Sequence, residues 1–241
     1  MLNSIIRKKI MSIKIDNTEK KVTAIEKTLL ILSIFTMEKP SLSLKEICDQ
    51  VGFNASTTYR ILQTLSEYGY VIRTANKNYC IGTTPLSLSA IYQKTNQLTQ
   101  ISPVVDHIRD VCNETSSFFI QQDNDRICLY RAHSHDMIRH NIDVGTQLEL
   151  NRGASGRVIL AYGRRMQDKS GFFKNIRDKG YYLSINEHNA ALFAISKPIL
   201  SESGQFIGAL TISGPISRFN EERKQSFLDL LTQQIEQIRI P

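Results

Sequence analysis

Apolar residues recur at helical spacing from Val22 onward, and Ile25, Leu29, Leu32 and Phe35 form one stripe. This spacing predicts a helix that stops before Pro40, because proline disfavours helix in the residue before it. Ser43-Leu44-Lys45-Glu46 follows with the pattern of a capping box: the Ser43 hydroxyl accepts from the Glu46 amide while the Glu46 carboxylate reaches back. The short helix it opens carries Leu44, Ile47 and Val51, and Gly52 breaks it. A third helix, from Asn54 or Ala55 to Tyr68, has Asn54 as its N-cap and Ile61, Leu62, Leu65 and Tyr68 as its buried stripe. Gly69 ends it. Two β-like runs, residues 70–73 and 79–81, enclose a polar, asparagine-rich turn at 74–78.

Residues 85–100 hold Leu88, Ile91, Tyr92 and Thr95 in an amphipathic helical pattern. Ser102-Pro103 then reads as the cap and first position of another helix, with Val104, Val105, Ile108, Val111 and Cys112 inward and an end near Asn113. Beyond it the period shifts towards two. Residues 117–121, 126–132, 137–143, 192–199 and 206–213 read as strands, and Asp123-Asn124-Asp125 and Ser201-Glu202-Ser203-Gly204 as turns. Helices are expected at 154–162, at 168–179 and from Asn220, the last carrying Phe227, Leu228, Leu231, Ile235 and Ile238. Strands interleaved with helices predict an α+β chain whose second part is a mixed α/β, sensor-like domain of about 140 residues.

A short helix, a glycine turn and a longer helix followed by a hairpin is the order of a winged helix-turn-helix. In that motif the second helix enters the DNA major groove and its first residues meet base edges. The candidates are Asn54, Ser56, Thr57, Thr58, Tyr59 and Arg60, with Lys45 on the preceding helix and Lys77 at the wing tip. Short hydroxyls permit close approach, and an arginine pairs with guanine or phosphate. A small three-helix domain for protein contact is the alternative reading of the same elements.

Charge favours the nucleic acid. The 241 residues carry a net charge of +7, and residues 1–85 hold 12 basic and 7 acidic side chains against 18 and 16 in the rest. A basic domain beside a near-neutral one suits a polyanion partner. With 41% hydrophobic and 22% charged residues, the composition excludes a disordered, collagen-like or disulfide-framed chain. No apolar run is long enough for a membrane helix, and the basic start lacks the apolar core of a secretory signal. Cys48, Cys80, Cys112 and Cys128 are scattered, which fits a reducing cytoplasm rather than a zinc ribbon. The predicted organisation is a flexible basic arm at 1–20, a winged helix-turn-helix at 21–84, a linker helix at 85–100 and an effector-binding domain at 101–241.

Candidate chemistry is sparse. Gly153-Ala154-Ser155-Gly156 opens a helix, and the unpaired amides there suit a carboxylate; simple capping is the alternative. Its glycine spacing is not that of a G-x-S-x-G nucleophile elbow, and no phosphate-cradling glycine motif occurs. His133, His135 and His140 lie close together with Asp136 and Asp143 nearby, but pocket or surface histidines are favoured over a metal site. No general base stands beside a nucleophile, so an enzyme is not expected and no cofactor is called for.

From Val22 on, the chain resembles the IclR family of bacterial transcriptional regulators. The resemblance runs through AIEKTLLIL, SLKEICDQVGFNASTTYRILQTLSEYGYV and NYCIG in the first part. In the second it runs through VGTQLELNRGASGRVILA, RDKGYYLS and ISKPILSESGQFIGALTISGPISR. It implies a winged helix-turn-helix, a helical linker and a GAF/PAS-like effector domain, in a homodimer or dimer of dimers on a pseudo-palindromic double-stranded operator. The implied function is a ligand-responsive regulator, expected to repress, that senses a small organic acid such as a sugar-derived or aromatic one. The family pocket uses amides at the helix start, here about Ala154 and Ser155, and later strand positions, here Ala194, Thr211 and Ser213. Met137, His140 and Leu148 fall at its wall. Ser184 stands where many members carry an acid and Ala194 where many carry a cysteine, so the resemblance names no single compound.

Overall fold

The computed structural model describes residues 23–95, 97–140, 142–187 and 191–241. The basic arm expected at 1–20 lies outside them. The chain divides into two compact units, with the boundary between Tyr92 and Gln93.

The first unit runs α1 (Thr23–Ser33), β1 (Ser41–Leu42), α2 (Leu44–Val51), α3 (Ala55–Glu67), β2 (Val71–Arg73), β3 (Tyr79–Ile81) and the start of α4 (Thr84–Thr95). The capping box forms: the Ser43 amide donates to Glu46 Oε2 at 2.8 Å, and the Glu46 amide to Ser43 Oγ at 3.3 Å. Gly52 then turns the chain with φ +74°, a conformation that suits glycine. Asn54 Oδ1 accepts from the Thr57 amide at 2.8 Å and starts α3. Ile31, Ile34, Leu42, Ile47, Leu62, Leu65, Val71 and Tyr79 form the core between helices and wing.

Three details depart from the sequence pattern. In α1 the buried residue is Ile31, followed by Ile34 just past the helix end, while Ile25 and Leu29 are exposed, because only the last turns of that helix reach the other elements. Tyr68 is exposed, since α3 stops at Glu67 before another inward turn is complete. Thr58 takes the inward place instead, in step with Leu62 and Leu65. Residues Ser41 and Leu42 also add a third strand to the wing, in the order β1-β3-β2.

The second unit contains α5 (Leu98–Cys112), β4 (Thr115–Gln122), β5 (Asp125–Ala132), β6 (Gln147–Glu149), α6 (Ala154–Val158), α7 (Phe172–Lys179), β7 (Tyr182–Ile185), β8 (Leu192–Leu200), β9 (Phe206–Pro215) and α8 (Glu221–Ile235). The strands make one antiparallel sheet in the order β6-β5-β4-β9-β8-β7. Helix α6 continues through a π-type turn at Ile159–Gly163.

Here too the pattern is corrected in places. Helix α5 starts at Leu98, a turn before Ser102-Pro103, because Leu98 and Ile101 extend its buried stripe backwards; Val111 falls on the exposed side. Residues 137–143 form no strand among those described. At that edge of β5 its first residues pair with β6 instead, from Asp125 facing Glu149 to Ile127 facing Gln147. The chain also leaves the sheet after Ala132, tied down by the Ser134 hydroxyl to the Asn113 carbonyl at 2.7 Å. Helix α7 begins at Phe172, whose amide donates to the Asp168 carboxylate at 2.8 Å. The β6 and β7 strands were too short to read from alternation.

The two faces of the sheet differ in kind. Phe118, Leu210, Ile212, Ile195 and Ile199 pack beneath α5 and α8. On the other face a second core forms from Phe119, Ala209, Leu148, Val158, Ile159, Phe173 and Ile176. Where that second core gives out, the sheet carries hydroxyls. Between α5, β4 and α8, the buried Glu114 receives Arg218 Nε and Nη2 at 2.7 Å each and lies 3.3 Å from Arg223 Nη1. A side chain at Gly214 would collide with that carboxylate.

Arg218→Ala leaves Glu114, 1% exposed, with Arg223 as its remaining cation. Removing one partner of a buried pair costs about 3 kcal/mol. Urea denaturation followed by circular dichroism should show the melting of the second unit shifted by that amount.

Candidate functional site

The first unit presents one polar, basic face. Ser56, Tyr59 and Arg60 are exposed on the opening turns of α3, Thr57 is half-buried, and Lys45 is exposed on α2. Asn54 is exposed but its carbonyl oxygen already caps the helix. Lys77 sits at the wing tip with φ +62°, held by its amide donating to the Thr74 carbonyl at 2.9 Å. Thr58 does not belong to this face. It is fully buried and its hydroxyl donates to the Asn54 carbonyl at 3.1 Å, so it cannot meet a base edge. Sequence spacing alone had grouped it with its neighbours, but the helical period turns it inward. Arg73 joins the wing, with its guanidinium 5.6 Å from the Tyr79 ring centre.

The second unit holds a cleft of about 450 Å³, open mouth included, on the hydroxyl-bearing face of the sheet. Strand register explains its lining. Ser184 faces Ala194, Ala194 faces Ser213, and Ser213 faces Thr115, so these side chains share one face. Two residues along, Ser196 faces Thr211 and Thr211 faces Ser117 on that same face. Gly153, Ala154 and Ser155 close the cleft from above, and His140, Leu148, Phe119, Ile142 and Leu192 complete much of the wall.

Of the nine positions expected to line a pocket, His140, Leu148, Ala154, Ser155, Ser184, Ala194, Thr211 and Ser213 all do. Met137 does not. It is 98% exposed, because its segment leaves the sheet instead of forming a strand. His140 Nδ1 lies 3.0 Å from Ser213 Oγ. Thr211 Oγ1 lies 2.9 Å from Ser196 Oγ, whose hydroxyl also reaches the Leu210 carbonyl at 3.1 Å. At the helix start the Gly153 amide donates to Glu187 Oε2 at 3.3 Å, and Tyr182 donates its hydroxyl to Glu187 Oε1 at 2.7 Å. Burial and this carboxylate push the Tyr182 hydroxyl up to about 12. An internal carboxylate thus already uses one amide of this helix start.

The cleft also holds two charged residues that the sequence pattern did not point to, Arg126 and Arg131, both on β5. Arg131 is a cation inside the otherwise apolar run 127–132, and Arg126 stands at its start, after Asp125. Arg126 is 3% exposed; its Nη1 donates to the carbonyls of Glu149 and Arg152, the latter at 2.6 Å. Burial lowers its guanidinium to about 10. Arg131 is 8% exposed and its Nη2 donates to the His140 carbonyl at 2.6 Å; burial lowers it as well. Arg126 Nε and Arg131 Nε and Nη1 are buried without a hydrogen-bond partner among the described residues. The three histidines do not gather a metal site: among the described residues, no three metal-ligating side chains converge. No helix among those residues is long and apolar enough to cross a membrane.

Comparison with known proteins gives a consistent result. Residues 24–75 match the IclR helix-turn-helix domain, and residues 90–172 and 171–240 match the bacterial transcriptional regulator IclR C-terminal domain. The transcriptional repressor IclR of Escherichia coli is 23% identical over 232 residues, which is 86% of this chain and 85% of that protein. The regulator KipR of Bacillus subtilis is 23% identical, across 85% of this chain and 91% of its own. In fold, the chain is similar to an IclR-type regulator from Alicyclobacillus acidocaldarius, with a TM-score of 0.80 at 20% identity, covering 90% of this chain and 98% of that one. It is also similar to an IclR homologue from Microbacterium hydrocarbonoxydans solved with 4-hydroxybenzoate, with a TM-score of 0.78 at 16% identity and the same coverages.

Burial pushes the thiols of Cys112 and Cys128 up to about 11. At pH 8 about one in a thousand is a thiolate, and only the thiolate reacts. An aromatic disulfide reagent at pH 8 should therefore modify Cys48 and Cys80 in the folded chain, and Cys112 and Cys128 only after denaturation. Mass spectrometry of the labelled peptides checks this.

Proposed function

The chain belongs to the IclR family of bacterial transcriptional regulators, and from that premise we propose that it is a repressor released from, or tightened on, its operator by a small carboxylate bound in the second unit. One observation carries the ligand reading: the fold brings the glycine-led helix start at 153–155 over hydroxyls from β7 and β9 that lie far away in sequence. Amides in the first turn of a helix have no partner within the helix, and the dipole favours negative charge there. Ala154 and Ser155 offer such amides, while Ser184, Thr211 and Ser213 donate hydroxyls. Leu148, His140 and Ala194 give the wall its shape. The relatives named as repressors and the homologue solved with an aromatic acid support the same reading.

On the DNA side, Ser56, Thr57, Tyr59 and Arg60 read base edges from α3, with Asn54 holding the helix start close to the backbone. Lys45 and Lys77 contact phosphates. We place the protein on a pseudo-palindromic operator as a homodimer or dimer of dimers, since two wings related by a two-fold axis read two half-sites. Exposed Leu86 and Leu88 on α4 support self-association. The effector acts by preferring one arrangement of the molecule, and linkage requires DNA to change effector affinity by the same factor.

The test is fluorescence anisotropy on duplex DNA from the protein's own upstream region, with and without small carboxylates. Salt-dependent binding that a carboxylate changes supports the proposal; duplex binding indifferent to every acid removes its ligand half. Arg60→Ala should weaken operator binding by about 1–3 kcal/mol, roughly tenfold or more, without altering the melting curve. Ser213→Ala should weaken the effector response about tenfold, by about 1.4 kcal/mol, and leave ligand-free DNA binding unchanged.

A further inference from the structure

The cleft carries more positive charge than one carboxylate neutralises. Arg126 and Arg131 both line it, and no aspartate or glutamate does among the described residues. The carboxylates that act on them through space, Asp125 and Glu149 for Arg126 and Asp143 for Arg131, make no ion pair with either. Burying a charged group without its counter-charge is costly, and a fold retains it where something else supplies the missing charge. The two guanidinium groups are also differently placed. Arg126 is fastened to the carbonyls of Glu149 and Arg152, directly before Gly153, so it sits at the helix start itself. Arg131 lies five residues further along β5. It is fastened through one nitrogen to the His140 carbonyl and has the Cys128 thiol beside it, and its Nε and Nη1 are buried without a hydrogen-bond partner among the described residues. It faces Ser117 across the sheet, whose hydroxyl is likewise unpartnered.

We propose that the effector is a small dicarboxylate: one carboxylate seated at the helix start beside Arg126, the other held by Arg131 with Ser117. This rests on the reading of the cleft as a carboxylate site and adds the second charge. Guanidinium nitrogens donate charge-assisted hydrogen bonds to carboxylates, and Arg131 keeps such donors at Nε and Nη1. Ser184 in the wall adds a hydroxyl and no negative charge to oppose the second carboxylate.

The test is calorimetric titration of the full chain with straight-chain dicarboxylates of four to eight carbons and with the benzene dicarboxylates. Each is compared with its monomethyl ester and its neutral dimethyl ester. At least one diacid should bind tenfold or more tightly than its monoester. In Arg131→Gln that ratio should collapse towards one, and in Arg131→Lys, which keeps the charge, most of it should remain. Equal affinity for diacid and monoester in the native chain, or a ratio untouched by Arg131→Gln, overturns the proposal while leaving the single-carboxylate reading intact. Binding of the diester alone, or of no member of the series, overturns both. The native ratio needs no variant, and retained operator binding with an unchanged fold by circular dichroism checks that the glutamine chain is native.

Discussion

In a β-strand, neighbouring side chains point to opposite faces of the sheet, and the second unit depends on that constraint at its centre. Strand β9 alternates Leu210 and Ile212 with Thr211 and Ser213. The first pair joins the core beneath α5 and α8, and the second pair faces the cleft. Strands β4 and β8 obey the same rule, with Phe118 and Ile195 on one side and Ser117 and Ser196 on the other. A single sheet therefore serves as wall of a dry core and floor of a polar cleft. A register slip of one residue would exchange the two sets and destroy both.

The polar face is a place where stability is given up. Hydrophobic packing there is limited to the patch around Phe119 and Ala209, and beyond it buried hydroxyls and two buried arginines replace it. Some of these groups satisfy one another, as Ser196 does with Thr211 and Ser213 with His140. Arg126 Nε and Arg131 Nε and Nη1 have no such partner among the described residues. The contrast with Glu114 is instructive: that buried charge is matched by two arginines and works as a structural tie. The cations of the cleft tie backbone carbonyls at Glu149, Arg152 and His140, but no carboxylate among the described residues pairs with either of them.

The first unit solves a different problem, holding a polar helix rigid at its exposed end. Asn54 caps α3, Thr58 anchors its first turn from inside, and the Ser43–Glu46 box and Gly52 set the angle at which α2 hands over to it. None of these contacts is large, each being worth about 1 kcal/mol. Together they fix where Ser56, Tyr59 and Arg60 point, and base readout requires that positioning.

Local chemistry made much of this legible in the amino-acid sequence. The capping box, the N-caps at Asn54 and Asn220, the glycine stop at Gly52 and the alternation of β8 and β9 are decided by residues a few positions apart. Eight positions that line the cleft came instead from the resemblance to the family, which local chemistry alone does not supply. The rest awaited tertiary structure, because it depends on what lies across from a residue. Thr58 is buried, and Ile25, Leu29 and Tyr68 exposed, according to where neighbouring elements end. The run at 137–143, with Met137, alternates as a strand would, yet the chain has left the sheet after Ala132, held by Ser134 on the Asn113 carbonyl. Arg131 is visible as a charge in an apolar run and Arg126 as one at its start, but only the folded sheet turns both into one cleft with no carboxylate paired to them among the described residues. Sequence settles local geometry through short-range bonds and periodicity. The counter-charge available to a buried group is settled by residues distant in the chain, and only the fold brings those together.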